Sequence, residues 1–144
     1  MDKIIYMENK ARSFVTVMII IAASAFVLRF GIGGLIALTV SQNESYASVT
    51  LKLISAALEN YAKDHQGMYP SRFLPLTASN PPYVDKDYIS QSPVRGYSYE
   101  CPRLDPSGYR CSAVPLNCKL TGSRKFSVTT GGILISDACD QTES

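Results

Sequence analysis

The chain has few charged residues for its length and only one histidine. Of its 144 residues 18% are charged, against about 25% in an average soluble domain. Most of the deficit lies in one place, because Arg29 is the only ionisable residue between Arg12 and Glu44. The net charge is +2, and no run of basic residues interleaved with aromatic residues occurs. These features exclude the charge pattern of a nucleic-acid-binding protein, so we expect no nucleic-acid partner.

The usual residues of an active site are also scarce. His65 is the single histidine and falls at a predicted helix end, where it interacts with terminal carbonyls. The closely spaced carboxylate pairs Asp85/Asp87 and Asp137/Asp140 fall in predicted solvated loops rather than in an acid–base site. The glycine clusters lack the Lys-Ser/Thr of a phosphate-binding loop. We therefore predict no catalytic site, cofactor, metal site or small-molecule substrate.

Four cysteines occupy the last third of the chain: Cys101, Cys111, Cys118 and Cys139. Structural zinc sites pair cysteines about two to four residues apart, whereas these cysteines are separated by ten, seven and twenty-one positions. The spacing favours disulfides in an oxidising compartment over a zinc site. Cys101 and Cys111 flank a turn near Pro106, which predicts a disulfide across a hairpin. Cys118 would then pair with Cys139, while a Cys101–Cys118 or Cys101–Cys139 bond would contradict the predicted strand pairing.

An apolar segment follows a polar leader at residues 1–13. Residues 14–40 are apolar apart from Arg29 and a few small polar residues, a length sufficient to cross a bilayer with tilt. Lys10 and Arg12 precede the segment and no basic residue follows it closely, so the N-terminus is predicted to be cytoplasmic. A cleaved secretory signal is the alternative, since the small residues at positions 22–25 resemble a cleavage site.

Arg29 and three glycines interrupt the apolar segment. An arginine within a span costs about 2.5–3.5 kcal/mol on insertion scales. Its side chain either extends to the headgroup region or pairs with a carboxylate or carbonyl of a neighbouring protein. Gly31, Gly33 and Gly34 follow at once, and they mark a place where a helix packs closely on a neighbour or extends locally.

Residues 41–66 have the periodicity of an amphipathic helix. The predicted apolar stripe consists of Tyr46, Val49, Leu53, Ala57 and Tyr61, widened by Ile54 and Leu58. Gly67 provides a stop, and Pro70 reinforces it. Because only the glycine cluster stands between the two helical segments, they are predicted to form one helix of about fifty residues.

The remainder of the chain predicts a loop and then a small sheet. Residues 67–95 are rich in proline and form a predicted loop with a helical turn near Tyr88. Within the sheet region, residues 96–144, the predicted strands are 96–101, 109–114, 124–130 and 133–135, with a turn at 102–108 and another at Gly131-Gly132. Tyr97, Tyr99 and Tyr109 are interpreted as packing residues. The predicted fold class is α+β, a long N-terminal helix packed on a small antiparallel sheet.

Two stretches of this sequence resemble the type IV pilin and type II secretion pseudopilin family. Residues 51–70, LKLISAALENYAKDHQGMYP, look like the end of the pilin stem helix and its Tyr-Pro. Gly96-Tyr-Ser-Tyr and residues 121–132, TGSRKFSVTTGG, are similar to the closing strands of pseudopilin heads. The resemblance covers about residues 10–136. It implies a non-enzymatic subunit that resides in the inner membrane with an extracytoplasmic C-terminal domain, and that later joins other pilin-like subunits in a periplasmic or extracellular helical filament.

The resemblance also implies roles for individual residues. Leader cleavage would fall between Ser13 and Phe14, and Phe14, Arg29 and the three glycines would lie in the filament core. The family's leader glycine and its stem glutamate are replaced here by Ser13 and Met18, which argues for a minor or atypical subunit. Some pseudopilin heads bind calcium, and Asp105, Asp137 and Asp140 are candidate ligands, but no twelve-residue calcium loop is present.

Two other functions remain open from the sequence. The missing glutamate and Arg29 favour a membrane-anchored extracytoplasmic domain that binds a partner without polymerising. Signal cleavage would instead release a secreted disulfide-containing domain. Stem length and the Tyr-Pro favour the filament subunit.

Overall fold

The computed structural model describes residues 2–139, with side chains for residues 14–139 other than 30 and 32. The order of elements is α1 (Asp2–Asp64), α2 (Leu74–Ala78), β1 (Tyr97–Asp105), β2 (Gly108–Pro115), β3 (Arg124–Thr129) and β4 (Ile133–Ala138). The chain divides into two compact units, Met1–Leu38 and Thr39–Ser144. We call the second unit the head. The predicted α+β class, a long N-terminal helix and an antiparallel sheet, is confirmed.

Helix α1 continues through the glycine cluster without interruption and ends close to the predicted stop. Gln66 and Gly67 adopt positive φ angles of 60° and 85°, a conformation that glycine adopts without steric strain. The Gly67 amide donates a hydrogen bond to the Ala62 carbonyl at 2.7 Å. This reversal satisfies a carbonyl of the last turn and terminates the helix.

The buried face of α1 in the head differs from the predicted stripe. Ala47, Leu51, Ile54 and Leu58 are buried, whereas Val49 and Leu53 are exposed, along with part of Tyr46 and Tyr61. The stripe is therefore rotated by about one residue, roughly 100° on a helix of 3.6 residues per turn. The prediction is confirmed for Ile54, Ala57 and Leu58, which are buried, and wrong for Val49 and Leu53, because small and polar residues also line the interface: Ala47, Thr50, Ser55 and Ala62.

The sheet is a meander in which β1, β2, β3 and β4 are neighbours in order and every pair is antiparallel. The predicted end of β1 at residue 101 was wrong, because the strand continues to Asp105. Its register changes between Glu100 and Arg103, so that Cys101 and Pro102 lie opposite Cys111 alone. This two-against-one arrangement is a β-bulge. It accommodates a proline, which has no N–H to donate to the partner strand.

Two further boundaries differ from expectation. Strand β4 extends to Ala138 rather than residue 135, and Lys125 and Arg124 of β3 pair with its added residues. The proline-rich region contains the short helix α2, which was not predicted. The predicted turn near Tyr88 is present, with the Asp87 carboxylate accepting hydrogen bonds from the amides of Ile89 and Ser90 at 3.0 Å.

The core of the head lies between α1, the inner face of the sheet and the 73–88 region. Tyr97, Tyr99 and Tyr109 point into this core and are almost fully buried, which confirms them as packing residues. Four residues of the proline-rich region cover one side of this core: Phe73, Leu76, Val84 and Tyr88. This region is therefore an ordered part of the head.

Both predicted disulfides are present. Cys101 and Cys111 join β1 to β2 at the bulge, and Cys118 and Cys139 join the β2–β3 loop to the end of β4 with their Cα atoms 5.8 Å apart. All four cysteines are therefore disulfide-bonded, which excludes a zinc site made by their thiolates.

Candidate functional site

The most distinctive surface of the molecule is the first part of α1. Its large apolar side chains are exposed along the whole length that the structure describes: Phe14, Val15, Val17, Met18, Ile19, Ile20, Ile21, Phe26, Val27, Leu28, Leu35 and Leu38. We call these residues the stem surface. Among the described residues one helical segment, Phe14–Asp64, is long and apolar enough to cross a membrane, and none of its most apolar window is buried. Such a surface has to be covered by lipid or by protein.

The predicted assembly residues lie in the same part of α1 as this surface. Phe14 and Arg29 are exposed, and Ser13 lies within α1, although its side chain falls outside the described residues. A Cβ atom added to Gly31, Gly33 or Gly34 would meet nothing within 4 Å. The glycines therefore leave a smooth helix face on which another backbone is able to approach closely.

A half-buried polar cluster centred on Glu59 attaches α1 to the sheet in the head. The Glu59 carboxylate accepts hydrogen bonds from the Tyr69 hydroxyl at 3.0 Å, the Tyr109 hydroxyl at 2.9 Å and the Gly131 amide at 2.8 Å. Ser55 lies 2.8 Å from the Tyr109 hydroxyl. Burial raises the pKa of Tyr109 to about 12, and the hydrogen bond to Glu59 adds to the effect. Because each donor is used within the head, the cluster fixes the helix on the sheet.

A second carboxylate makes a similar attachment near the start of the head. Glu44 accepts hydrogen bonds from the amide of Ser123, at 2.7 Å, and from its hydroxyl. Asn43 donates from its side-chain amide to the Thr121 carbonyl at 3.0 Å. These roles of Glu44 and Glu59 were not predicted from the sequence. The available signal was the position of each carboxylate beside the buried face of the helix.

His65 has the role that its position predicted. Its Nδ1 lies 2.8 Å from the Tyr61 carbonyl, one turn earlier, and its ring stacks on the Tyr61 ring at 3.8 Å. The neighbouring Tyr83 hydroxyl donates to Asp64 at 2.6 Å, and this hydrogen bond raises the pKa of Tyr83. The arrangement supports the end of α1.

Two of the three acidic residues considered for calcium, Asp105 and Asp137, lie on different strands, β1 and β4. Asp105 pairs with the Arg103 guanidinium at 2.8 Å and with Ser107, and these hydrogen bonds hold the pKa of its carboxyl well below the usual range. Asp137 is exposed on β4, and Asp140 lies outside the described residues. In the part of the chain that the structure describes, no group of three His, Cys, Asp or Glu side chains is arranged to hold a metal ion.

The outer face of the sheet carries a groove of about 250 Å³. It is lined by Arg110, Ser112, Val114, Lys125, Phe126, Ser127, Thr129, Ile135 and Asp137. The lining has hydroxyls and cations but no histidine or thiol, and it lies on the side of the sheet opposite α1. It is a shallow surface feature rather than an enclosed binding pocket.

No protein-family model matches this chain, and no curated protein matches it. The architecture itself is compatible with a pilin-like, membrane-anchored protein: one long N-terminal helix is apolar in its first part and packs in its second part on an antiparallel sheet with disulfides.

Proposed function

We propose that this protein is a non-enzymatic structural subunit, minor or atypical, of a type IV pilus-like or type II secretion pseudopilus filament. Its partners would be other pilin-like subunits. Before assembly the stem surface would lie in the inner membrane with the head on the extracytoplasmic side. The observation that supports the proposal is the contrast within α1. The stem surface is exposed throughout, whereas the head has a complete core of its own.

The physical basis for assembly is an exchange of one apolar environment for another. A helix satisfies its backbone hydrogen bonds internally, so it is able to leave lipid if a protein surface replaces the acyl chains. The helices of neighbouring subunits provide such a surface. Gly33 and Gly34 have open space at the Cβ position, which allows two helices to approach closely and gain van der Waals contact.

Arg29 would have a specific partner in such a filament. It lies on the exposed face of an apolar segment, where a charge that is buried without a partner is strongly destabilising. We expect a carboxylate or free carbonyl of a neighbouring subunit to pair with it. Replacing Arg29 with Glu should then abolish assembly without changing the fold of the head.

Substitution of the glycines tests the proposal. The double variant Gly33→Leu/Gly34→Leu should lose filaments, because two bulky side chains prevent close helix approach. Leucine has the higher helix propensity by about 1 kcal/mol per residue, and the structure offers room for it, so the isolated chain should remain folded. The measurement is the yield of filaments from the native host by electron microscopy and immunoblotting.

The matched control is Gly33→Ala/Gly34→Ala, which changes helix propensity without much bulk. If close packing matters, the alanine variant assembles and the leucine variant does not. If the helix must extend locally at the glycines, both variants fail. Normal assembly of the leucine variant would contradict the filament proposal.

The second candidate is a membrane-anchored domain that never polymerises. The presence of Arg29 in the apolar segment and of Met18 instead of the family glutamate favours it. The intact mass of the protein from its native host separates the alternatives. A mature chain that begins at Phe14 supports processing as a pilin. An intact chain supports a permanent anchor, and a start near Ala25 supports a secreted domain.

A further inference from the structure

The β2–β3 loop, residues 116–123, exposes two leucines at one end of the head. Leu116 is 53% exposed and Leu120 is 60% exposed. The loop has a defined shape, since the Lys119 amide donates to the Gly122 carbonyl at 2.7 Å and the Thr121 amide to the Asn117 carbonyl at 2.9 Å. The Cys118–Cys139 disulfide also holds it. The leucines are therefore presented to solvent by a fixed loop.

The position of this loop along α1 is set by side-chain contacts. Thr121 accepts a hydrogen bond from Asn43, and the amide of Ser123 donates to Glu44. Asn43 and Glu44 follow Val40, the last residue of the apolar segment, by three and four positions. At 1.5 Å per residue they lie about 4.5–6 Å beyond Val40 along the helix axis. All of these residues belong to the head unit.

This distance corresponds to the headgroup region of a bilayer. The hydrocarbon core is about 30 Å thick and the whole bilayer about 40–45 Å, which leaves about 5–8 Å of headgroups on each side. When Val40 lies at the edge of the hydrocarbon, the loop therefore lies at the depth of the headgroups. There its leucines are able to enter the acyl boundary.

The charges around the loop suit an anionic lipid surface. Lys119 lies between the two leucines in sequence and is exposed, as are Arg124 after the loop and Arg95 beside it. The Gly96 carbonyl, next to Arg95, accepts the Leu116 amide at 2.9 Å. The nearby carboxylate of Glu44 is engaged by Ser123. Apolar side chains flanked by cations bind the interface of anionic membranes.

We propose that the tip of the β2–β3 loop docks on the surface of the membrane in which α1 is inserted, with Leu116 and Leu120 at the acyl boundary and the neighbouring cations on anionic headgroups. This contact fixes the head against the membrane before any assembly. It rests on the membrane insertion that the proposed function also requires, but it does not depend on filament formation.

Tryptophan fluorescence tests the proposal directly, because the chain contains no tryptophan. The full chain carrying Leu120→Trp is reconstituted in vesicles of phosphatidylcholine and phosphatidylglycerol. The phosphatidylcholine is brominated near the headgroup end of its chains, so that it quenches a tryptophan at that depth. The matched control is Leu74→Trp. Leu74 is 67% exposed and lies in α2, which packs with the opposite end of the head helix. A third variant, Phe26→Trp, reports insertion of α1 in matching vesicles whose phosphatidylcholine is brominated near the ends of its chains, because position 26 lies in the middle of the apolar segment.

We expect the tryptophan at 120 to emit at shorter wavelength than the one at 74 and to be quenched about threefold more by the brominated lipid, as an interfacial aromatic residue is. Adding Leu116→Asp to the Leu120→Trp chain should reduce its quenching to the level of the Leu74→Trp control. The non-reducing mobility and the thermal unfolding of each variant check that the head remains folded. If the aspartate variant fails to fold, the comparison of positions 120 and 74 still decides the proposal.

Each other outcome overturns the inference. Quenching at 26 but not at 120 shows that α1 is inserted while the loop stays in water, which leaves the proposed function intact. No quenching at 26 removes the membrane span, and the loop inference and the proposed function fail together. A blue shift at 120 that depends on the protein-to-lipid ratio, without quenching, indicates contact with a second copy instead of the membrane.

Discussion

The two parts of α1, before and after Thr39, are both rich in apolar residues, yet their surroundings differ completely. Leu38 is 63% exposed and Leu58 is 0% exposed. In the head, Ala47, Ala57 and similar small residues allow the sheet to lie close to the helix. The large side chains of the stem surface are instead exposed. Apolar character alone therefore does not specify what covers a helix; the distribution of small and polar residues along its face does.

Truncation of a leucine in each part should give the largest difference. Leu58→Ala is expected to lower the free energy of unfolding of the head by about 2–5 kcal/mol, because it leaves a cavity in the core. Leu38→Ala should change it by less than about 0.5 kcal/mol. Denaturant unfolding of the detergent-solubilised chain, followed by near-ultraviolet circular dichroism, measures both. Equal losses would show that the stem surface also supports the fold of the head.

Removal of the Glu59 carboxylate should give the next largest effect. Glu59→Ala leaves the Tyr69 hydroxyl and the Gly131 amide without their acceptor, and we expect a loss of about 1.5–3 kcal/mol in the same unfolding measurement. Glu100→Ala is the control, because Glu100 is exposed and, in the part of the chain that the structure describes, accepts a single hydrogen bond, from Ser112. A loss no greater than that of the control would mean that the Glu59 cluster contributes nothing to the attachment of helix and sheet.

Alkaline pH should weaken the head through its buried tyrosines. Burial raises the pKa of Tyr97 from 10.0 to about 12. The unfolded chain therefore loses this proton at lower pH than the folded one. The contribution of the protonated Tyr97 to the free energy of unfolding is complete below pH 10. It is lost as the pH rises towards 12, by up to about 1.4 kcal/mol per pH unit for each such tyrosine. Tyr97→Phe should make the decline of unfolding free energy above pH 10 shallower, and an unchanged slope would refute this assignment.

The smallest effect should come from removing single hydroxyls on the face of the sheet that packs on α1. Tyr109→Phe loses hydrogen bonds to Glu59 and Ser55, and we expect a loss of about 1 kcal/mol. The Tyr99 hydroxyl is buried with the Thr50 side chain nearby, but it makes no well-formed hydrogen bond among the described residues. Tyr99→Phe should therefore be neutral or slightly stabilising. Thermal unfolding of both variants makes the comparison, and a larger loss for Tyr99→Phe would contradict it.

The sequence was sufficient for the order and type of the main elements. Alternation, turn residues and the cysteine spacing predicted four strands and both disulfides. The helix stop at Gly67 also followed from residue type. These features depend on local chemistry, which sequence patterns record well.

The features that were missed depend on tertiary contacts. The predicted stripe includes Val49 and Leu53 beside the correctly predicted Ile54, Ala57 and Leu58, because large apolar residues dominate a periodicity argument. The sheet instead packs on the face that carries small residues. Strand β1 passes through Pro102 because a bulge at the Cys101–Cys111 disulfide accommodates it. The roles of Glu44 and Glu59 depend on loops that are distant in sequence, so no local pattern indicates them.

The positions of Glu44 and Glu59 have a mechanical consequence. Glu44 binds the β2–β3 loop and Glu59 binds the β3–β4 turn. The two glutamates are fifteen residues apart on α1, about 22 Å along the helix axis. A pull along α1 would load both attachments in shear, so they would have to break together rather than one after the other. The Cys118–Cys139 disulfide links the β2–β3 loop, which Glu44 binds, covalently to the end of β4. Tension applied to the helix is therefore shared across the sheet instead of peeling its last strand away.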